Sequence, residues 1–323
     1  MIDLIALIIG VSITGVVAYL LTGFLAPWLV SKGIYGVDIH KPDKPVRAEM
    51  GGVSVLIALS LGATIVFLLL DPLSTLFLAG LVTLILVGSV GILDDVVGLR
   101  QRYKPFMVAA SSIPLAVALL SRSSIYFPLL GSVSFGILYP LLVVPLAITT
   151  SANFSNMLAG FNGLEAGNAC IALGTLTLLA FYFGQFEGAA LGLMLFVGYL
   201  GFLKFNWFPA KVFPGDTGTL LAGAGIAVIG LMSRLEFAAI VVSMPAAMDF
   251  TLKMFSKRPF AQRIEYGNSQ VDSKGHLVPA TYPALAHAFM RITPTTEKGL
   301  VKSLLSMELV YALLAAALTI IKL

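Results

Sequence analysis

The sequence predicts an all-α integral membrane protein with about ten transmembrane helices. Of its 323 residues, 58% are hydrophobic and 11% are charged, whereas a soluble domain carries about 25% charged residues. Apolar runs of about 20 residues, the length needed to cross a bilayer, recur along the chain. Most Lys and Arg residues lie in or beside alternate connections between these runs. We therefore expect one integral membrane domain over residues 1–323.

Each predicted span is an apolar run. The ten runs are 3–30, 51–70, 74–93, 106–121, 136–152, 168–184, 188–204, 217–233, 236–254 and 302–322. The first is longer than a signal-peptide core and has no basic leader, so we expect it to be retained as a helix. The single cysteine, Cys170, excludes an internal disulfide and fits no cysteine metal site.

The positive charges predict the orientation in the membrane. With the N-terminus outside, the inner connections are 31–50, 94–105, 153–167, 205–216 and 255–301. These connections and the adjoining helix ends hold all of the 20 Lys and Arg residues except Arg122, Arg234 and Lys322. The positive-inside rule therefore predicts that both termini are outside and that most polar chemistry lies on the cytoplasmic face.

Asp94 and Asp95 form the first polar cluster, at the end of the third apolar run. Adjacent carboxylates repel each other and resist removal from water. A divalent cation or a phosphate-handling site would account for them. The alternative is a solvated helix end, where acidic residues are common caps.

The second cluster, residues 153–167, contains three Asn and three Gly. Asn153 and Asn156 are three residues apart and would share one helix face, where amide oxygens can coordinate a hard cation. Gly160 and Gly163 would permit a sharp turn close to a ligand. The alternative is an ordinary polar turn.

Two further clusters complete the predicted site. Residues 215–218, Gly-Asp-Thr-Gly, open the eighth run, where free helix amides favour anions and Asp216 is either a metal ligand or an N-cap. Glu49 follows a basic loop and precedes two glycines. Together the clusters suit a nucleoside diphosphate with a divalent ion. The chain has no Walker loop and no G-x-G-x-x-G motif, which disfavours ATP-driven transport and dinucleotide chemistry.

Three motifs resemble those of the polyprenyl-phosphate N-acetylhexosamine-1-phosphate transferases. They are D-D-x-x-G-L-R at 94–100, N-F-S-N-M-L-A-G-F-N-G-L-E-A-G at 153–167 and F-N-W-F-P-A-K-V-F-P-G-D-T-G at 205–218. Their order, spacing and sidedness match, and the resemblance covers about residues 30–270. The second motif looks most like that of the archaeal and eukaryotic UDP-GlcNAc:dolichyl-phosphate GlcNAc-1-phosphate transferases. The bacterial phospho-MurNAc-pentapeptide transferases carry Asp where this chain has Ala159 and Asn162.

The resemblance implies a role for each catalytic residue. Asn156 and Asp216 would hold Mg²⁺, with Mn²⁺ as an alternative. Asp94 and Asp95 would lie beside the metal and the lipid phosphate, and one of them could accept a proton. Lys104 would contact phosphate.

The resemblance also implies a substrate-binding set. Its members are Glu49, Asn153, Gly160, Asn162, Gly163, Glu165 and Arg263. Asn162 and the Gly160–Gly163 turn would meet the uridine, Glu49 would line the nucleotide pocket, and Arg263 would bind the sugar diphosphate. The chain departs from the family around Arg263, where relatives carry more His and Arg; His276 and His287 could serve instead.

The implied reaction transfers GlcNAc-1-phosphate from UDP-GlcNAc to a polyprenyl (dolichyl-type) phosphate and releases UMP, the first membrane step of lipid-linked glycan assembly. Membrane lipids are further expected partners, a homodimer is left open, and no nucleic acid is expected. The resemblance favours the cell membrane of an archaeal-like prokaryote over the endoplasmic reticulum. The alternatives are another UDP-N-acetylhexosamine donor, or a transporter or flippase. A transporter places ionisable residues at the midplane, whereas these helix centres hold almost none apart from Glu308.

Overall fold

Helices dominate the structure, a computed structural model that describes residues 4–41, 43–69, 75–128, 130–158, 160–255 and 269–321. The helices of these residues are Leu4–Ser31 (α1), Gly52–Leu69 (α2), Thr75–Val97 (α3), Lys104–Ser111 (α4), Ile113–Ala118 (α5), Val144–Met157 (α6), Leu164–Tyr182 (α7), Phe186–Asn206 (α8), Gly215–Met232 (α9), Glu236–Val242 (α10), Met244–Met254 (α11), Leu285–Ile292 (α12) and Glu297–Ile320 (α13). A π-helical turn, Tyr139–Val143, leads into α6.

All ten predicted apolar segments are helical in their described parts, but three of them are interrupted or irregular. Within the described residues, seven helices are long and apolar enough to cross a membrane: α1, α2, α3, α7, α8, α9 and α13. The pair α10 and α11, bent by 56°, makes an eighth if it counts as one span. The structure thus supports a multi-pass membrane protein, while ten spans and the positions of the termini stay predictions.

Prolines mark two of the interruptions. Pro114 lies in the first turn of α5, directly after α4, and Pro245 lies in the first turn of α11, directly after α10. Proline lacks an N–H and its ring clashes with the preceding turn, so a helix cannot run through it undisturbed. The segment 106–121 is consequently two short helices rather than one span.

Three small antiparallel hairpins correct the all-α prediction. Their strands are Tyr35–Val37 (β1) with Val46–Ala48 (β2), Ser124–Phe127 (β3) with Gly131–Ser134 (β4), and Gln270–Val271 (β5) with Leu277–Val278 (β6). Strands of two to four residues are too short to show the alternating pattern by which strands are recognised. The first hairpin matters for the site, because Ala48 also bridges to Val212 beyond α8.

Helix α9 forms the centre of the bundle. Every residue from Thr217 to Met232 is buried, and α9 packs against α2, α3, α6, α7, α8 and α10. Glycines allow the backbones to approach closely. A Cβ on Gly52 would lie 2.2 Å from the Gly218 nitrogen, and one on Gly91 would lie 2.4 Å from the Thr217 Cα. The first turn of α9 is therefore enclosed by the start of α2 and the end of α3.

Candidate active site

The first turn of α9 is capped by a carboxylate from another helix. Asp95, in the last turn of α3, accepts hydrogen bonds from the Asp216 amide at 2.7 Å, the Thr217 amide at 3.0 Å and the Thr217 hydroxyl at 2.6 Å. First-turn amides have no partner inside their own helix and carry the positive end of the helix dipole. The N-cap position is Pro214, so the interpretation of Asp216 as an N-cap is wrong. Asp95 supplies the anion that these amides were expected to favour.

Asp94 points to different partners from those of Asp95. Its Oδ1 accepts a hydrogen bond from the Leu99 amide at 2.7 Å, and its Oδ2 lies 2.6 Å from Lys104 Nζ. Gly98, with φ of +69°, follows the end of α3 and turns the chain toward Lys104. The segment 94–105 is thus not a loop throughout, because Asp94 and Asp95 are helical.

Lys104 joins the first motif to the other two. Its ammonium is buried, 3.1 Å from Asp216 Oδ1 and 3.4 Å from Asn156 Oδ1. Asn156 in turn donates to Asp216 Oδ1 and to the Thr219 hydroxyl, the latter at 2.8 Å. Side chains from three separate parts of the sequence therefore form one network.

This network is chemically suited to a hard divalent cation. Oxygens of Asp94, Asp216 and Asn156 all contact the same ammonium group, so they face one region of positive charge. Carboxylate and amide oxygens are the ligands that Mg²⁺ prefers. The Asp216 side chain is 32% exposed and opens toward the adjoining pocket. The residues present therefore fit such an ion.

An open pocket of about 300 Å³ adjoins the network. Small-molecule sites commonly begin at about this volume. Most of the predicted site residues line it: Glu49, Asp95, Asn156, Gly160, Asn162, Glu165 and Asp216. Asp38, His40, Phe161 and Phe213 complete much of the wall. The structure thus brings all four predicted clusters to one place.

The predicted glycine turn is present. Gly160 and Gly163 have φ of +133° and +83°, a region that side-chain-bearing residues rarely adopt. The Gly160 amide donates to Glu165 Oε1 at 3.1 Å. A Cβ on Gly163 would lie 2.8 Å from the Trp207 ring, so Gly163 also permits close packing against the third motif.

Asn162 is held by residues that were not among the predicted site residues. Its Oδ1 accepts from the Ala210 amide at 2.7 Å and from Lys41 Nζ at 3.2 Å. The backbone amide of Asn162 donates a hydrogen bond to Glu297 Oε1 at 2.8 Å. Lys41 was recognised as part of a basic loop, but no sequence signal connects it with Glu297, 256 residues away. Thr217 lies in the third motif and Thr219 follows it directly, but their hydrogen bonds could not be read from the sequence.

Some predicted residues are not brought into this pocket. Asn153 donates to the Thr149 carbonyl of its own helix at 2.7 Å and does not line the pocket. Arg263 lies outside the described residues. His287 is buried between Tyr282 and Ser269, and this desolvation lowers its pKa. His276 lies at the turn of the β5–β6 hairpin, 3.5 Å from Asp272.

Glu49 lies in an electrostatically unfavourable position for a carboxylate. Part of its side chain is exposed, but the pocket wall removes the carboxylate partly from water, and this desolvation raises its pKa above the ordinary value of 4.5. The negative charges of Asp95 and Asp216 add to the increase in pKa. The pocket is therefore a region in which a further positive charge would be stabilised.

Comparisons with known proteins agree with the motifs. The family model for glycosyl transferase family 4 matches residues 77–234. A protein of Saccharolobus solfataricus, provisionally named a UDP-N-acetylglucosamine–dolichyl-phosphate N-acetylglucosaminephosphotransferase, is 30% identical over 318 residues, 98% of this chain and 97% of its own length. A Sulfolobus acidocaldarius protein of the same provisional name is 30% identical over 320 residues, with 95% and 96% covered.

Bacterial relatives match a smaller part of the chain. The phospho-N-acetylmuramoyl-pentapeptide-transferase of Geobacillus kaustophilus is 32% identical over 257 residues, 73% of this chain and 78% of that protein. The archaeal matches span nearly the whole length, as the second motif led us to expect. The chain belongs to glycosyl transferase family 4, in the group of polyprenyl-phosphate N-acetylhexosamine-1-phosphate transferases to which its three motifs pointed.

Proposed function

We propose that this protein transfers GlcNAc-1-phosphate from UDP-GlcNAc to a polyprenyl phosphate of the dolichyl type and releases UMP, the first membrane step of lipid-linked glycan assembly. The observation that carries the proposal is the convergence of the three motifs on one pocket beside Asp94, Lys104 and Asp216. Relatives whose names state this reaction align over nearly the whole chain. The pocket is proposed to open on the cytoplasmic side, because the basic residues cluster on that face.

The reaction brings two anions together, and the site is suited to offset their repulsion. The second pKa of a phosphate monoester is about 6, so the lipid phosphate is largely ionised at neutral pH and needs no strong base. Lys104 supplies a fixed positive charge between Asp94 and Asp216. Arg263 is proposed to contact the sugar diphosphate. Positioning and charge stabilisation are the general basis of phosphoryl transfer.

A divalent cation is proposed at Asp216 and Asn156, with Asp94 beside it. Mg²⁺ is the expected ion and Mn²⁺ the alternative. When bound, such an ion neutralises charge on phosphate oxygens and polarises them. Lys104 would then hold the ligand carboxylates in place and contribute its own charge.

The position of Asp95 supports direct in-line attack by the lipid phosphate rather than a covalent aspartyl intermediate. Both of its carboxylate oxygens accept hydrogen bonds from the first turn of α9. A carboxylate stabilised by three hydrogen bonds is a weaker nucleophile. If Asp95 moved to attack a phosphate, the two α9 amides and the Thr217 hydroxyl would lose their acceptor. Its proposed role is to fix Asp216 in the correct place.

Release of UMP by the purified protein tests the proposal. Incubation with UDP-GlcNAc, polyprenyl phosphate and Mg²⁺ should yield UMP and a lipid-linked sugar in equal amounts, and omission of the lipid phosphate should abolish both. Replacing the donor with other UDP-N-acetylhexosamines shows which sugar is preferred. The absence of UMP with every donor would contradict the proposal and favour the transporter alternative.

A further inference from the structure

A buried ion-pair cluster behind the pocket joins four distant parts of the chain. Lys41 Nζ lies 2.7 Å from Asp38 Oδ2 and 2.7 Å from Glu297 Oε2, and it donates to Asn162 Oδ1 at 3.2 Å. We call Asp38, Lys41, Asn162 and Glu297 the Lys41 cluster. It connects the β1–β2 hairpin, the glycine turn and the start of α13, and Asn162 also binds the Ala210 amide of the third motif.

The cluster is well enclosed, and its single ammonium lies between two carboxylates. The exposed fractions of the Lys41, Asp38 and Glu297 side chains are 12%, 1% and 4%. Buried ion pairs are costly unless their remaining atoms also find partners. Here Glu297 Oε1 accepts a hydrogen bond from the backbone amide of Asn162 at 2.8 Å. The Lys41 ammonium also lies 4.6 Å from the centre of the Phe208 ring. Both oxygens of Glu297 are thus used to connect Lys41 with Asn162.

Lys41 and Glu297 do not line the pocket, but their partners do. Asp38 and Asn162 belong to the pocket wall, together with His40, whose ring stacks on Phe161 at 4.6 Å. Phe161 and Asn162 occupy the middle of the glycine turn. Glu297 contacts the pocket wall through this turn, whereas Lys41 contacts it both through the turn and through Asp38.

We propose that Lys41 and Glu297 are positioning residues that hold the Gly160–Gly163 turn in its nucleotide-binding shape; this inference rests on the function proposed for that turn. Two glycines with positive φ give the free turn many conformations. Ordering such a segment upon binding reduces affinity, whereas a turn that is already ordered avoids this loss. The cluster consequently affects nucleotide affinity rather than the chemical step.

The test makes three measurements on Glu297→Ala and Lys41→Met: hydrogen exchange, UDP affinity and turnover kinetics. Hydrogen exchange of the peptide containing residues 160–164 should become faster in both variants. In Glu297→Ala the backbone amide of Asn162 loses its acceptor, and in Lys41→Met that acceptor, Glu297, loses its ion-pair partner. The dissociation constant of UDP should rise about tenfold, which corresponds to the loss of one charge-assisted hydrogen bond. In turnover assays the KM for UDP-GlcNAc should rise similarly, with kcat and the KM for polyprenyl phosphate changed by less than about twofold.

Matched variants separate positioning from general damage. Lys298→Met removes an exposed cation from the next residue of α13 and should leave all three measurements unchanged. Lys41→Arg keeps the charge and should restore most of the UDP affinity. Glu297→Gln keeps the shape of the side chain, and its UDP affinity should lie between those of the wild type and Glu297→Ala. This variant keeps the test valid if Glu297→Ala fails to fold. The double variant Lys41→Met/Glu297→Gln should bind UDP as well as the weaker-binding of the two single variants, since both substitutions act through one cluster.

The outcomes are distinguishable from those for the reaction. If the wild type binds UDP but releases no UMP from any donor, the proposed reaction is wrong. The positioning role is then still tested by the hydrogen exchange and UDP affinity of the variants. Faster exchange of 160–164 with weaker UDP binding supports the positioning role. Unchanged UDP affinity in Glu297→Ala or Glu297→Gln, or a loss confined to kcat, would overturn it.

Discussion

Adjacent residues on an α-helix point about 100° apart, and Asp94 and Asp95 consequently reach different partners. Asp95 caps α9, whereas Asp94 pairs with Lys104 and holds the Leu99 amide. The sequence predicted that this pair needed an explanation in metal or phosphate chemistry. It could not predict the division between the two carboxylates, because the partner of Asp95, the first turn of α9, lies more than 100 residues further on.

Asp95→Asn tests the capping role. The amide keeps one acceptor oxygen but turns an NH₂ group toward the α9 amides or the Thr217 hydroxyl, so thermal stability should fall by the equivalent of about 1–3 kcal/mol. Thermal unfolding in detergent measures the change. Asp43→Asn, at an exposed loop position, is the control and should be neutral. Unchanged stability in Asp95→Asn would refute the capping role.

Glu49 gives a pH-dependent prediction. Because its pKa is raised above 4.5 in the folded protein, the folded state holds this proton more tightly than the unfolded state, and stability falls as pH rises from 4.5 through the raised pKa. Glu49→Gln removes this dependence. The variant should therefore melt at a higher temperature than the wild type at neutral pH, and the difference should disappear near pH 4.

The comparison of melting curves across pH decides this point. A difference that is constant with pH, or that grows toward acid, would show that the pKa of Glu49 is not raised. Turnover should meanwhile be lower in Glu49→Gln at every pH if the residue lines the nucleotide site as proposed, so stability and activity should change in opposite directions.

At the scale of helices, α9 receives a charge of the appropriate sign at each end. Asp95 binds the amides of its first turn, and the Arg122 guanidinium donates to the Leu231 and Met232 carbonyls of its last turn. Both charges complement the helix dipole. The central helix is therefore held along its axis by residues of other segments, which fixes Asp216 relative to the pocket.

Gly91→Ala tests the close packing on which this arrangement depends. The new Cβ would lie 2.4 Å from the Thr217 Cα, so α3 and α9 must separate. Such overpacking typically costs about 1–3 kcal/mol. Because Asp95 lies one turn beyond Gly91, the variant should lose both stability and turnover.

Gly15→Ala is the matched control, since its Cβ would meet Val197 at an ordinary 3.7 Å. Its melting temperature should equal or exceed that of the wild type, because Ala is the better helix former. If Gly91→Ala behaves like Gly15→Ala, the contact between α3 and α9 is not as tight as the structure indicates.

Apolar length predicted the positions of the helices, because it is a local property of the chain. The breaks at Pro114 and Pro245 were not predicted, although both prolines are visible in the sequence. The short hairpins were missed because two to four residues carry no readable pattern. The motifs identified most of the pocket lining, but the Lys41 cluster joins residues far apart in sequence, and an ion pair of this kind leaves no local signature. Asn153 shows the opposite error: its spacing from Asn156 predicted a shared role, yet its amide returns to its own helix.

For the whole molecule, the main structural prediction concerns sidedness. We expect Asp43→Cys, in the β1–β2 connection, to react with a membrane-impermeant maleimide only from the cytoplasmic side, because that connection carries the basic residues. Leu130→Cys, in the β3–β4 connection, should react only from the outside. Both positions are exposed, and the native Cys170 is buried. Labelling of both cysteines from the same side would contradict the predicted topology.

The proposed site and reaction are tested most directly by measuring UMP release as a function of Mg²⁺ concentration in the wild type and in Asp216→Asn. The wild type should release UMP only when UDP-GlcNAc, polyprenyl phosphate and Mg²⁺ are all present. Asp216→Asn should insert and fold but lose at least about 99% of turnover, since it loses the charge proposed to bind the metal at the centre of the network. Full activity of this variant at low Mg²⁺ would contradict the assignment of the site, and UMP release by neither protein would contradict the assignment of the reaction.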